Sequence, residues 1–361
     1  MKSTRQPTPA APSTRRSKKP RAALPTLALA TALAALAIPA AHAQEVTLKV
    51  AHFLPANVSG HQKVLVPWCA DIARDSQGRI ACQFYPAMQL GGTPAQLVDQ
   101  VKNGVADVVW TVPGYSAGRF PAIEAMELPF VISDASRGGL ATWQYYQRHA
   151  QKEFDAYKVL AMFVDGGVTL HTGRKEIKTP ADIEGLKLRA PGRMASKTLA
   201  ALGGQPVAMP PAQMTEAISK GVVDGAMGGW EFVPSTKLDE VTRFHVDPPA
   251  GQPFPVATVL TILMNKAKYE RLPDDLKAVI DKHSGEALVT RAGRNWDDET
   301  EAARAKVLAG GGKIHRFSED DMRAMRAATA KVDEEWIAEV SRKGLDGKAL
   351  AAAARELAAA P

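Results

Sequence analysis

The chain has 361 residues, with 45 basic and 38 acidic side chains and a formal net charge of +7. That excess sits at the front: residues 1–43 carry seven Lys and Arg and no acid, so the remainder holds 38 of each sign. A neutral body has no global field to gather DNA or an anionic membrane, which argues against nucleic-acid binding. After the leader, no stretch combines membrane-spanning length with few charges.

Lys2, Arg5, Arg15, Arg16, Lys18, Lys19 and Arg21 precede an apolar run from Leu24 to Ile38, then Ala41-His42-Ala43, the small-x-small pattern read by signal peptidase. The run is short for a membrane span. A cleaved signal peptide over residues 1–43 is expected, with Sec export and cleavage near Ala43/Gln44; an uncleaved anchor is the alternative. No Cys follows the run, so a lipoprotein anchor is not indicated, and Arg15-Arg16 lacks the Phe-Leu of a twin-arginine leader.

Next come a strand over Val46–His52, an amphipathic helix over Gly60–Ser76, a strand over Ile80–Tyr85, a helix from Thr93 as N-cap to Asn103, and a strand over Asp107–Thr111. Such alternation predicts a mostly parallel sheet with helices on both faces. A second unit starts near Gly167. Its strand Leu186-Lys187-Leu188-Arg189 ends at Pro191-Gly192 and leads to a helix over Pro211–Lys220 and to Gly221-Val222-Val223-Asp224-Gly225. An apolar strand over Val256–Met264 should return to the first sheet. From Pro273 to Leu308 the pattern is helical throughout, and a single helix of roughly 36 residues, about 54 Å long, would brace both units. Gly310-Gly311-Gly312 stops it; a strand over Lys313–Phe317 and two helices follow, and the Ala-rich tail 349–361 should fray. No internal repeat is evident.

Cys69 and Cys82 are the only cysteines. The turn at Gly78 folds their elements together, and the sequence leaves open whether they pair or stay separate buried thiols. Two cysteines and scattered histidines give no metal-site spacing. No nucleophile elbow, HExxH helix, phosphate loop or paired-carboxylate site is present. Neither a cofactor nor an enzymatic activity is expected.

Several passages together resemble the DctP-type solute-binding proteins of TRAP transporters. They are Phe84-Tyr85-Pro86 with Gln89-Leu90-Gly91-Gly92, Asn103-Gly104-Val105-Ala106-Asp107, Glu127-Leu128-Pro129-Phe130, Ile183 to Gly192, Gly221 to Gly225, and Asn265 to Pro273 with Asp274-Asp275-Leu276. The resemblance implies an α/β, two-lobed periplasmic-binding-protein-like fold, with a mixed, mostly parallel sheet in each lobe. Residues 44–166 plus 255–294 would form lobe 1, and 167–254 plus 295–348 lobe 2. It also implies a periplasmic monomer that closes on an organic acid and delivers it to TRAP membrane permease subunits. A sensor module for a receptor kinase, or a secreted enzyme, is the alternative.

In that family the arginine matching Arg189 holds the ligand carboxylate, a task suited to a guanidinium's parallel donors. Lys187 lies on the opposite strand face. The family's other site positions map to His52 and Phe53, to Trp110 and Thr111, and to Gly228 and Trp230. Both tryptophans also suit a core. His171 would donate a hydrogen bond or serve as an interdomain residue. Tyr115 and Arg119 would frame the rim, with Arg119 alternatively tying down its loop. Glu231 reads as a helix N-terminal acid with no ligand role. The polar groups with which sialic-acid-binding relatives hold a sugar acid are replaced here by small and aromatic ones. A monocarboxylate with an apolar or aromatic body is therefore expected, an aromatic acid or a branched 2-oxo acid, rather than a C4-dicarboxylate.

Overall fold

The computed structural model describes residues 44–360. The expected signal peptide, residues 1–43, lies outside the described residues. In chain order the first half runs β1 Val46–His52, α1 Val66–Asp75, β2 Ile80–Tyr85, α2 Leu97–Lys102, β3 Val108–Thr111, α3 Ala135–Tyr145 and β4 Tyr157–Val164. The second unit holds β5 Thr169–Thr172, β6 Lys187–Ala190, α4 Arg193–Ala201, β7 Gln205–Ala208, α5 Pro211–Ser219, β8 Gly225–Gly228, α6 Phe232–Ser235 and β9 Phe244–Asp247. Then follow β10 Val259–Asn265, α7 Lys266–Glu270, α8 Asp274–Lys282, α9 Glu286–Ala309, β11 Lys313–Arg316, α10 Glu319–Arg342 and α11 Gly347–Ala359.

Two sheets result, in orders β2-β1-β3-β10-β4 and β11-β9-β5-β8-β6-β7. Each contains one strand that opposes both neighbours: β10 in the first and β5 in the second. These are the strands by which the chain arrives from the other sheet. The two crossing segments touch at an antiparallel bridge between Val168 and Val256. A third crossing, from β10 through α7 to α9 to β11, returns the chain to the second sheet and completes the two-lobed α/β fold.

The same device locks a strand edge in each sheet. Asp107 donates its N–H to Lys49 O at 2.9 Å, and its carboxylate accepts the Lys49 N–H at 2.9 Å. Asp224 does this with Lys187 at 2.7 and 2.8 Å. Three residues before each aspartate a glycine turns the chain at positive φ, +75° at Gly104 and +70° at Gly221. The shared geometry follows a shared local pattern, Gly-Val-x-Asp, at Gly104–Asp107 and Gly221–Asp224.

Two expectations need correction. The long helix is broken: α8 ends at Lys282, and Gly285, at φ +63°, turns the chain into α9. Gly285 is needed there because a side chain rarely adopts that backbone. Packing, rather than helical propensity, sets this break, since the Gly285 N–H donates to Leu160 O of β4 at 2.7 Å. The tail does not fray up to Ala359. Asp346 caps α11 by accepting the Ala349 N–H at 3.0 Å, and Leu350, Ala351 and Ala354 are buried against α3 and α10. A small-residue face allows close helix approach, which composition alone conceals.

Cys69 and Cys82 form a disulfide that joins α1 to β2. No helix among the described residues is long and apolar enough to cross a membrane.

Candidate functional site

Alternation along β6 places Leu188 and Ala190 in one core and Arg189 on the other face, in register with Ala226 of β8. The Arg189 side chain runs to the strand ends and is 1% exposed. Its Nε donates to Met209 O at 3.2 Å and its Nη1 to Met227 O at 3.1 Å, while Nη2 is buried with no partner. Among the described residues no carboxylate pairs with it at salt-bridge distance. Burial lowers its pKa from the usual value, although the Tyr115 hydroxyl and Asp165 beside it favour the cation. A guanidinium stays charged regardless.

From Arg189 ring contacts run to Trp296, and the circuit returns to Arg189 only through the electrostatic influence of Glu231 and Asp165. Tyr115 stands beside the guanidinium, and burial pushes its hydroxyl pKa up. Its ring meets Phe53 edge-on, with centroids 5.4 Å apart. Phe53 leans on Trp110 at 6.0 Å, and Trp110 meets Trp296 of α9 at 5.7 Å and 90°. Gly60 lets these indoles meet, because a Cβ there would lie 2.5 Å from one ring and 2.7 Å from the other. The Trp296 indole N–H faces Glu231 closely enough to favour its charged form, without a hydrogen bond of ordinary geometry. Glu231 feels the charge of Asp165, which in turn acts on Arg189. The circuit joins elements of both sheets. It contains a cation, an aromatic wall and two acids.

The polar atoms of this circuit are unusually short of partners. Arg189 Nη2, Trp110 Nε1, Trp296 Nε1, Asp165 Oδ2 and both carboxylate oxygens of Glu231 are buried and unpartnered. Buried polar groups are normally satisfied, and each exception needs a cause. Burial and the neighbouring Asp165 hold the Glu231 pKa well above the carboxylate range. Burial also raises Asp165 to about 6 and Glu127 to about 8.

Phe53 and Trp110 thus touch one another and are linked to Arg189 through Tyr115. Thr111, on the opposite strand face from Trp110, keeps a buried, unpartnered hydroxyl. Gly228 is buried, and a Cβ there would meet the Phe232 ring at 4.0 Å, an ordinary van der Waals contact.

The other expected residues are engaged by the protein. His52 Nε2 is 2.9 Å from His61 Nδ1, and its Nδ1 accepts the Leu54 N–H; burial lowers its pKa to about 3. His171 Nε2 lies 3.2 Å from Gly228 O and must donate, so in the neutral ring Nδ1 accepts from His245 Nδ1 at 2.7 Å. That leaves His171 no nitrogen to offer a guest. Trp230 gives its indole N–H to Asp247 at 2.7 Å and packs on His171 and His245. Arg119 ties its loop to Asp99 and Tyr157 at 2.7 and 2.8 Å.

Sequence reasoning did not bring in Trp296, Asp165, Glu127 or Glu231. The helical pattern around Trp296 does not say which sheet it faces. Glu231 carried a usable signal, an acid three residues beyond a strand end, but was assigned no ligand role. Near Arg189, a cavity of about 440 Å³ is lined by Pro94, Gly114 and Tyr115 from one side and by Ala190, Arg193 and Met209 from the other.

Two sheets joined by three chain crossings, with a buried, incompletely satisfied guanidinium at a strand end, have the architecture of a two-lobed binding protein for a small anionic ligand. The chain belongs to the DctP family, bacterial extracellular solute-binding protein family 7, whose model matches residues 50–339. Among solved structures it is similar to a TRAP solute binding protein from an unidentified marine microbe, specific for aromatic acid ligands and crystallised with 3-hydroxybenzoate. The two are 42% identical over 87% of this chain and 98% of that one, with a TM-score of 0.85. A TRAP solute binding protein from Rhodoferax ferrireducens, in complex with copurified benzoate, is also 42% identical over 87% of this chain and 97% of its own, at TM-score 0.84. A TRAP periplasmic solute binding protein from Bordetella bronchiseptica with bound mandelate is 28% identical over 86% of this chain and 98% of its own, at TM-score 0.79.

Proposed function

We propose that the protein captures an aromatic monocarboxylate in the circuit around Arg189 and hands it to TRAP membrane permease subunits, without chemical change. The reading rests on one observation: Arg189 Nη2 is buried and unpartnered beside an aromatic wall. Nη1 and Nη2 face one carboxylate as a fork, and charge-assisted pairs of this kind are among the stronger hydrogen bonds. Phe53, Trp110 and Trp296 supply the surface for a ring; removing about 100 Å² of apolar area from water contributes about 2.5 kcal/mol. The 42%-identical proteins that hold 3-hydroxybenzoate and benzoate support the same ligand class.

The proposal carries the remaining expectations with it. The mature chain begins near Gln44 and works in the periplasm. Residues 44–166 and 255–294 form one lobe, and 167–254 with 295–348 the other. Permease subunits are the partner.

Calorimetric titration with benzoate tests the reading. Wild type should bind, Arg189→Ala should lose at least a hundredfold in affinity while keeping its circular dichroism, and recovered benzoate should be unaltered. Unchanged affinity in Arg189→Ala would overturn the assignment.

A further inference from the structure

Closing two halves over a ligand needs a place where the chain bends. Two of the three crossings are extended, one leaving β4 and one entering β10, whereas the third runs through α9, an unbroken helix over Glu286–Ala309. The two extended crossings are paired at Val164 with Val259 in the first sheet and again at Val168 with Val256. Between these pairs one strand has three residues, Asp165, Gly166 and Gly167, and the other has two, Ala257 and Thr258. One residue too many on one strand breaks the ladder locally and bends it, as in a β-bulge.

The bend passes through two glycines at positive φ, +80° at Gly166 and +129° at Gly167. Neither has room for a side chain, since a Cβ would lie 2.9 Å from Ala135 N at the first and 2.1 Å from the Phe254 ring at the second. Phe254 is itself tied to the first half. Its N–H donates to Ile132 O at 2.8 Å, and its O accepts the Phe130 N–H at 3.1 Å.

Asp165 fills the gap in the ladder. Its backbone N–H donates to Thr258 O at 3.2 Å, while its Oδ1 accepts the Thr258 N–H at 3.0 Å and the Gly167 N–H at 3.1 Å. One oxygen thus holds both strands at the bend. The residue is 2% exposed, and a buried N–H deprived of its acceptor is costly.

Resting on the function proposed above, we infer that the Asp165 carboxylate is the pin of the hinge on which the two sheets close over the bound acid. It is a positioning residue: Gly166 and Gly167 supply the turn, and Asp165 fixes the axis about which it occurs. Without the pin the unliganded protein samples many placements of its halves, and binding has to order them first.

The experiment measures the distance between the halves. Val105, before β3, and Val222, before β8, are exposed and lie on opposite sides of the hinge. Both native cysteines are in the disulfide, so Val105→Cys with Val222→Cys takes two spin labels, read by pulsed dipolar spectroscopy with and without benzoate. Three changes are compared on that background: Asp165→Ala, Asp165→Asn, which keeps an acceptor oxygen in place without the charge, and Asp165→Glu, which keeps the charge but moves the oxygens. Without ligand, the parent and Asp165→Asn should give similar narrow distributions, and Asp165→Ala and Asp165→Glu wider ones. Benzoate should narrow all of them to one closed distance. Its affinity by calorimetry should fall about tenfold in Asp165→Ala and Asp165→Glu and stay within about threefold in Asp165→Asn. An unliganded distribution in Asp165→Ala as narrow as the parent's would overturn the inference. Equal widths in Asp165→Asn and Asp165→Glu would do the same, and that contrast decides alone should Asp165→Ala not fold. Failure of the underlying function looks different: benzoate would then neither bind the parent nor shift its distance, while the unliganded comparison would still test the pin.

Discussion

Arg193, which lines the cavity near Arg189, grips Glu124. Its Nε donates to Oε1 at 3.0 Å and its Nη2 to Oε2, while Nη1 reaches Glu339 of α10 at 2.6 Å. Glu124 sits in the turn that follows the first sheet's β3, is buried, and also accepts from the Trp336 indole at 3.3 Å. Arg193 opens α4 of the second sheet. One fork therefore staples the two halves together at the edge of the proposed site.

Weakening that staple should loosen the shut state without touching the ligand. Glu124→Gln keeps the shape but gives up the charge, and removing one partner of a buried pair is costly because the other is left uncompensated. We expect ligand dissociation to speed up about tenfold, corresponding to about 1.4 kcal/mol. Stopped-flow tryptophan fluorescence with 3-hydroxybenzoate reads it; an unchanged off-rate removes the staple from the closing mechanism.

Gly60 is predicted to be intolerant of any side chain. Gly60→Ala drives a methyl into the Trp110 and Trp296 rings, at 2.5 and 2.7 Å before relaxation. Overpacking of this kind costs about 1–3 kcal/mol. The indoles should shift, changing the near-ultraviolet circular dichroism and weakening aromatic-acid binding. Wild-type affinity in a folded Gly60→Ala protein would show that the indole contact is not part of the site.

The disulfide should matter for stability alone. Cys69 and Cys82 are 13 residues apart in sequence. A loop of that size contributes about 3 kcal/mol by restricting the unfolded chain. Cys69→Ser with Cys82→Ser should lower the urea midpoint accordingly and leave benzoate affinity unchanged.

Stability between pH 6.5 and 8 should fall as pH rises. Burial raises Glu127 from about 4.5 to about 8 and Glu153 from about 4.5 to about 7, so the folded state retains protons that the unfolded chain has released. An acid whose folded pKa is raised loses stability with rising pH across the gap between its two values. The buried histidines act in the opposite sense at lower pH. His52, lowered to about 3, and His245, lowered to about 4, bind protons only on unfolding, so acidification below 6.5 destabilises. Glu127→Gln should therefore flatten the dependence of Tm on pH above 6.5, as read by calorimetry at half-unit steps. An unchanged slope removes Glu127 as the cause.

Much of the first sheet was readable because its signals are local. The span Ile80–Tyr85 is bounded by a turn, and Thr93 caps the following segment as the sequence indicates, with Gln96 completing the capping box in the structure. The long helix was not readable, because its break at Gly285 answers to a carbonyl of β4. His171 and Trp230 were drawn towards the site by their place in the motif, yet His245 and Asp247 of β9 hold their polar atoms. Neither partner lies near them in sequence.

By itself the sequence determined the alternation of strands and helices from Val46 to Thr111, that Arg189 stands at a strand end, and that residues 1–43 carry the excess charge. Those are consequences of backbone preference, side-chain period and composition, all local to the chain. Only the tertiary structure decided which polar atoms are left without partners. That property belongs to the packing of Trp296, Glu231, Asp165 and Arg189, which stand far apart in sequence, because desolvation is set by whatever surrounds an atom in space.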